Sequence, residues 1–178
     1  MAVLTEGRTA LPAGTWALDP VHSTIGFELP YLAGTFRGHF TDVNAKLTAD
    51  SLSGSARVAS VDVKDENLAA HLQSPEFFDV ERHPELTFAS SSIERDGESL
   101  KVAGEITIRG ITKAVELAGA IAGPITDAFG NERVNVTLET AVDRTEFDLN
   151  WNMPLPNGQP ALQNEVKLVA ELYFVRGA

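Results

Sequence analysis

The chain has 178 residues, 43% of them hydrophobic and 22% charged, which fits one globular domain with a substantial core. Its 25 acidic residues against 14 basic ones leave a formal charge of −11 with no basic stripe, a balance that argues against nucleic acid and anionic membrane surfaces as partners. No cysteine is present, which removes disulfides, thiolate metal sites and cysteine nucleophiles together.

Residues 1–13 read as a flexible N-terminal extension ahead of a single domain spanning 14–178. Glu6 and Arg8 interrupt the first fourteen residues, so the apolar run of roughly 7–15 residues that a secretory leader needs is not there. No stretch approaches the ~18 consecutive apolar residues of a spanning helix. As given, the chain reads as soluble and cytoplasmic, without stable membrane insertion, and as periplasmic or secreted if a leader was removed. Ile25, Phe27 and Leu29 then alternate with Thr24, Gly26 and Glu28, the period of a strand with one wet face. Between Gly34 and Leu47 the apolar parity slips, from Phe36 and Phe40 to Val43 and Leu47, which predicts a bulge in a long strand.

Residues 65–73 break the β pattern. Leu68 and Leu72 stand four apart beside Ala69 and Ala70, with Asp65 as N-cap, and Ser74-Pro75-Glu76 offers a further helix start before Phe77-Phe78. One or two short helices are expected here. Asp96-Gly97 predicts a two-residue hairpin between strands at 86–94 and 98–108, the second carrying Leu100, Val102, Ile106 and Ile108. Val115, Leu117 and Ile121 repeat the period, and Gly123-Pro124 and Gly130-Asn131 are expected to close strands. Val134, Val136, Leu138 and Val142 give the clearest alternation of all. The irregular stretch 150–163 carries Pro154, Pro156 and Pro160 with Trp151, Met153 and Leu155, and an apolar loop of that length is expected to cover something. Val166, Leu168, Leu172 and Phe174 supply a last strand. About eight strands and one helical insertion predict an all-β fold, a closed antiparallel eight-stranded barrel.

Catalytic motifs are absent: there is no GxSxG elbow, Walker loop or GxGxxG. His22, His39, His71 and His83 lack any short ligand spacing, so no metal site is expected. His22 reads as a strand-start residue bonding locally after Asp19, His71 as helix surface, and His83-Pro84 as a turn entering a strand. Asp19, Asp62, Asp79 and Asp143 fall near predicted strand ends, where turn and capping roles are the default. Asn135-Val-Thr137 matches a glycosylation sequon but lies mid-strand. No catalytic residue and no cofactor is assigned.

Four segments in order carry a family likeness. They are Trp16-Ala-Leu-Asp19-Pro-Val-His22-Ser23 followed by Ile25 and Phe27, and His71-Leu72-Gln-Ser74-Pro-Glu-Phe77-Phe78-Asp79 with His83-Pro84 and Thr87-Phe88. Then come Gly104-Glu-Ile106-Thr107-Ile108-Arg-Gly110-Ile-Thr112-Lys113 and Arg144-Thr-Glu-Phe147 with Trp151. From about Gly14 to Val175 the chain resembles the YceI-like family, bacterial lipocalin-like proteins associated with polyisoprenoid binding. Three positions depart from that pattern. Leu68-Ala69 stands where an Arg-Asp pair is common, Asp148 where glycine often follows the phenylalanine, and Gln163-Asn164 where Gly-Asp is usual. They bear on the cavity mouth and so on headgroup preference.

The resemblance implies a lipocalin-like barrel that binds, stores or transports a long isoprenoid lipid without enzymatic turnover, in a protein that is often dimeric. On that reading Phe27, Phe36, Phe40, Phe88, Ile106, Leu138, Val142 and Phe174 face the ligand from the strands. Leu72, Phe78, Trp151, Met153 and Leu155 cover it from the helical segment and the loop. Two other readings stay open: an enzyme acting on an amphiphile through a pair of carboxylates, and a barrel filled by its own side chains that serves as a protein-interaction module.

Overall fold

The period-two segments become eleven strands of one antiparallel sheet in the structure, a computed structural model that describes residues 10–177. In chain order these are β1 (Trp16–Leu18), β2 (Thr24–Tyr31), β3 (Gly34–Phe40), β4 (Val43–Leu47), β5 (Leu52–Arg57) and β6 (Val61–Asp62). After the helix α1 (Glu66–Gln73) follow β7 (Glu85–Asp96), β8 (Ser99–Ile108), β9 (Ile111–Thr126), β10 (Glu132–Asp143) and β11 (Glu165–Arg176). β1 pairs with both β11 and β4, placing Trp16 opposite Arg176 and Leu47, and this closes the sheet on itself. β1 and β2 follow one path along β11, β3 and β4 run on from each other, and so do β5 and β6. The result is an eight-stranded barrel in which three strands are bent midway.

The bends follow the sequence. The slip expected between Phe40 and Val43 is real: β3 stops at Phe40, Thr41 and Asp42 leave the ladder, and β4 resumes with Val43. The turns differ from their expected positions. Asp96 pairs with Ser99, so the β7–β8 loop is Gly97-Glu98, one residue beyond the expected Asp96-Gly97. Gly97 has φ 60° at the first loop position, where a type II′ turn demands it. The β8–β9 hairpin gave no glycine-pair signal, because Arg109 (φ 52°) takes a left-handed conformation beside Gly110 (φ 74°). Gly123-Pro124 does not close a strand. It lies inside β9 and forms a bulge there, the two residues standing opposite the single Val134 of β10, and the pairing continues to Thr126.

One end of the barrel is solid. Trp16, Leu47, Leu100, Val102, Ile121, Val134, Val136 and Phe174 fill it, each almost fully buried. Part of the predicted N-terminal extension belongs to this floor: Leu11 packs against it, and the Ala13 carbonyl accepts the Trp16 indole N–H at 3.2 Å. The Ala10 carbonyl takes a bond from Arg95 at 3.0 Å, so residues 10–13 are held in place, while residues 1–9 lie outside the described part.

At the rim of this end Arg133 ties two loops together. Its Nε donates to Asp127 Oδ2 at 2.6 Å and its Nη1 to Asp19 Oδ2 at 2.9 Å. Asp127 also accepts the Phe129 and Asn131 amides on Oδ1, which shapes the β9–β10 loop. The guanidinium and those amides hold the Asp127 carboxyl at about 2, below its ordinary 3.8. A carboxyl depressed by folding stabilises the native state above its unfolded pKa and stops doing so as pH falls through the folded one. The contribution of Asp127 is therefore complete above about pH 4 and lost on approach to pH 2. In Arg133→Met, the Asp127 titration followed by NMR should return toward 3.8 and acid unfolding should begin at higher pH. A titration unmoved by the substitution would contradict this assignment.

Candidate functional site: a capped apolar cavity

The other end of the barrel is closed by chain segments instead of by strand side chains. Asp65 caps α1 by accepting the Asn67 and Leu68 amides at 2.8 and 3.0 Å, and Leu72 is the helix residue most deeply buried. Ser74-Pro75-Glu76 opens a turn and not a second helix. The amides of Phe77, Phe78, Asp79 and Val80 return to the carbonyls of Ser74, Leu72 and Gln73, and Asp79 adopts φ 55°. Facing this segment, a 3-10 turn over Arg144–Phe147 starts from Asp143, whose carboxylate accepts the Thr145 amide. It ends at Asp148 with φ 62°, a conformation that suits the glycine common at this position in the resembling family.

Arg109 clamps the two halves of the cap. Its guanidinium donates to the Asp148 carbonyl at 2.6 Å and to the Pro75 carbonyl at 2.9 Å. The loop after Asp148 forms a finger held at its base by Asn152, which bonds both the amide and the carbonyl of Leu162. Trp151 and Leu162 at that base turn inward, and Leu162 bridges to Tyr31 at the tip of the β2–β3 hairpin.

Beneath the cap lies an apolar cavity in two lobes, about 250 Å³ next to the cap and about 130 Å³ at mid-barrel. Phe40, Leu86, Ile108 and Leu168 line both and form the waist between them. The middle lobe exists because small residues occupy its wall: Ala45, Gly54, Ala56 and Ala170 stand there with Phe88, Leu138 and Leu172. The upper lobe is aromatic. The Phe27 ring lies 6.1, 6.0 and 6.4 Å from those of Phe36, Phe40 and Phe78, near-contact geometries for tilted and edge-on pairs. Together the lobes lie near the lower end of the ~300–1,000 Å³ typical of ligand sites.

The sequence-predicted residues divide by depth. Phe27, Phe36, Leu72, Phe78, Val142 and Trp151 line the upper lobe, Phe88, Ile106 and Leu138 the middle one, and Phe40 the waist. Phe174 does not reach the cavity: its parity is inward, but it sits in the solid floor beside Trp16. Met153 and Leu155 line neither lobe, because the proline-rich finger lifts them off the barrel, and Met153 is 56% exposed. Periodicity gives which face a residue takes and says nothing of its height along the barrel axis.

Two polar residues join the apolar ones at the site. His71 is not plain helix surface. It lines the upper lobe, its ring edge-on to Phe77 and to Trp151 at 4.9 Å each, with Nε2 2.7 Å from Glu76. Arg144 is 4% exposed and lines the same lobe. Its one sequence signal is its place at the head of the Arg144-Thr-Glu-Phe147 segment. The other histidines lie apart, His22 on Asp19 at 2.7 Å as expected, His39 near Asp62, and His83 over Gly110. Asp62 and Asp143 accept nearby turn amides, in keeping with their expected turn roles, and among the described residues no acidic one lines either lobe.

Comparison with known proteins gives a consistent picture. The sequence profile of the YceI-like domain matches residues 16–174. Protein YceI of Salmonella newport is 30% identical over 163 residues, covering 87% of this chain and 82% of that protein. Among solved structures, BcnA of Burkholderia cenocepacia superposes with a TM-score of 0.74 at 20% identity, over 88% of this chain and 98% of BcnA. A polyisoprenoid binding domain from Saccharophagus degradans, implicated in plant cell wall breakdown, gives 0.71 at 11% identity, over 91% and 98%. At those identities the two structures establish the shared barrel.

Proposed function

Because the chain belongs to the YceI-like domain family, we propose that its barrel binds a long isoprenoid lipid, of polyprenyl or isoprenoid-quinone type, and stores or carries it without turnover. The observation that carries this reading is the pair of apolar lobes stacked from the cap to mid-barrel, with Phe40, Leu86, Ile108 and Leu168 shared between their walls. The polyisoprenoid binding named for the Saccharophagus domain of the same fold supports the choice of ligand. Each tail carbon taken out of water is worth ~0.8 kcal/mol, so affinity comes from filling the lobes and needs few polar contacts. A paired-carboxylate enzyme gains no support, since among the described residues no Asp or Glu lines either lobe. A barrel packed solid is hard to reconcile with lobes of about 250 and 130 Å³. Tyr31 and Leu32, exposed at the β2–β3 tip beside the cap, give a tail an apolar rim to cross on entry.

Trp151 reports on the upper lobe, while Trp16 is sealed in the floor. Tryptophan fluorescence should therefore change on titration with neutral prenols, and the change should vanish in Trp151→Phe. Affinity should rise by roughly tenfold or more per added isoprene unit until the lobes are full. Affinity independent of chain length would overturn the reading.

A further inference from the structure

The upper lobe holds a feature that an apolar tail does not explain. In a chain of formal charge −11, the one charged residue lining either lobe among the described residues, histidine aside, is an arginine. Three of the five guanidinium donors of Arg144 are used on backbone: Nε bonds the Gln163 carbonyl at 3.0 Å, and Nη1 those of Leu149 and Trp151 at 2.6 and 2.8 Å. These bonds fix the guanidinium plane. Nη2 makes no hydrogen bond among the described residues, and no carboxylate there forms an ion pair with Arg144. Its neighbour Asp143 acts on it only through space, with Oδ1 taken by the Thr145 amide and hydroxyl.

No side-chain nitrogen sealed from open space lacks a partner among the described residues, so Nη2 is not sealed, and Arg144 is one of the residues that line the upper lobe. Carbonyl dipoles solvate a buried guanidinium without neutralising it, and an uncompensated buried charge is costly. Arginine stays charged under ordinary conditions, and its planar fork matches phosphate and carboxylate oxygens. The other titratable groups facing this lobe are His71, already bonded to Glu76, and Tyr31, so no anion of the protein competes for the position.

We propose that Arg144 is a headgroup anchor, and that the lipid held in the barrel ends in an anion, a phosphate monoester or a carboxylate, received by the free Nη2 edge of its guanidinium. This rests on the lipid-binding reading above and narrows it to acidic lipids. The tail would then run from the cap through the waist into the middle lobe, with the charge kept near the exit.

The test compares geranylgeranyl monophosphate, geranylgeraniol and inorganic phosphate on the intact protein by calorimetry. The phosphate ester should bind roughly tenfold or more tighter than the alcohol, while millimolar inorganic phosphate alone should neither bind nor compete. The guanidinium ¹⁵N resonances of Arg144 should shift with the ester and not with the alcohol. In Arg144→Gln the preference for the ester should collapse while the alcohol still binds. Should that variant fail to fold, the resonances of the unaltered protein decide the matter. Equal binding of ester and alcohol would overturn the anchor and leave the lipid reading standing. Tight binding of inorganic phosphate alone would make this a free-anion site and overturn the headgroup assignment. If neither lipid binds, both readings fall together.

Discussion

Gly54→Phe should leave the barrel folded and weaken binding of long polyprenols by roughly a hundredfold. Gly54 stands in β5 between the cavity-lining residues Leu52 and Ala56, opposite Phe88 of β7 and Ala45 of β4. A Cβ built there meets the Asn44 carbonyl at 3.4 Å and the Ala45 Cβ at 3.7 Å, ordinary contact distances, so the backbone has no need to move. The added ring takes the middle lobe. Displacing about four tail carbons at ~0.8 kcal/mol each removes ~3 kcal/mol, or about two orders of magnitude in affinity. Short prenols that fit the upper lobe alone should bind as before. Thermal stability should hold or rise, because a glycine inside a strand is replaced by a strand-favouring aromatic. Unchanged affinity for long chains in the folded variant would show that the tail does not enter the middle lobe.

Trp16→Ala tests the closure of the barrel. β1 has three residues, yet it joins β11 to β4 at the solid end, and Trp16 is fully buried at the junction. Its indole N–H bonds the Ala13 carbonyl, and the Arg176 guanidinium lies 4.8 Å over its ring. Truncating a buried tryptophan costs roughly 3–5 kcal/mol through lost burial and the cavity left behind. For a chain of this size that corresponds to a melting temperature lower by roughly 10 °C. Trp16→Phe should lose clearly less, since most of the apolar volume stays. Calorimetric unfolding of the three proteins reads the difference, and a Trp16→Ala protein that melts with the parent would mean that β1 does not close the barrel.

The strands were legible because a sheet with one wet face writes its period directly into the residues. Val134, Val136, Leu138 and Val142 are the plainest case. The helix was legible from Asp65 and the Leu68–Leu72 spacing. What failed was information that the period does not hold. Phe174 and Leu138 carry the same inward signal, yet one lies in the floor and the other against the cavity, because their heights along the barrel differ. Met153 looked like a lid from its chemistry, but the pairing of Pro154 with Pro160 folds the loop back on itself and leaves it exposed. Arg144 was hidden for a different reason. A charged residue at a strand end reads as surface until tertiary contacts supply three carbonyls to hold it inside.

The family likeness placed what pattern alone left open. Alternation is equally consistent with a filled barrel and a hollow one, and the difference rests on the small residues Ala45, Gly54, Ala56 and Ala170 in the wall of the middle lobe. Their contribution is visible only when the strands are assembled, since each is unremarkable in its own segment.

The central claim is that this barrel carries a long apolar lipid. Mass spectrometry of an organic extract of the purified protein, set against an extract of the same protein denatured and washed, tests it most directly. A stoichiometric isoprenoid species bearing a terminal phosphate or carboxylate is expected in the first extract and not in the second. Folded protein whose extract is empty, and which takes up no prenol when it is offered, would contradict the account.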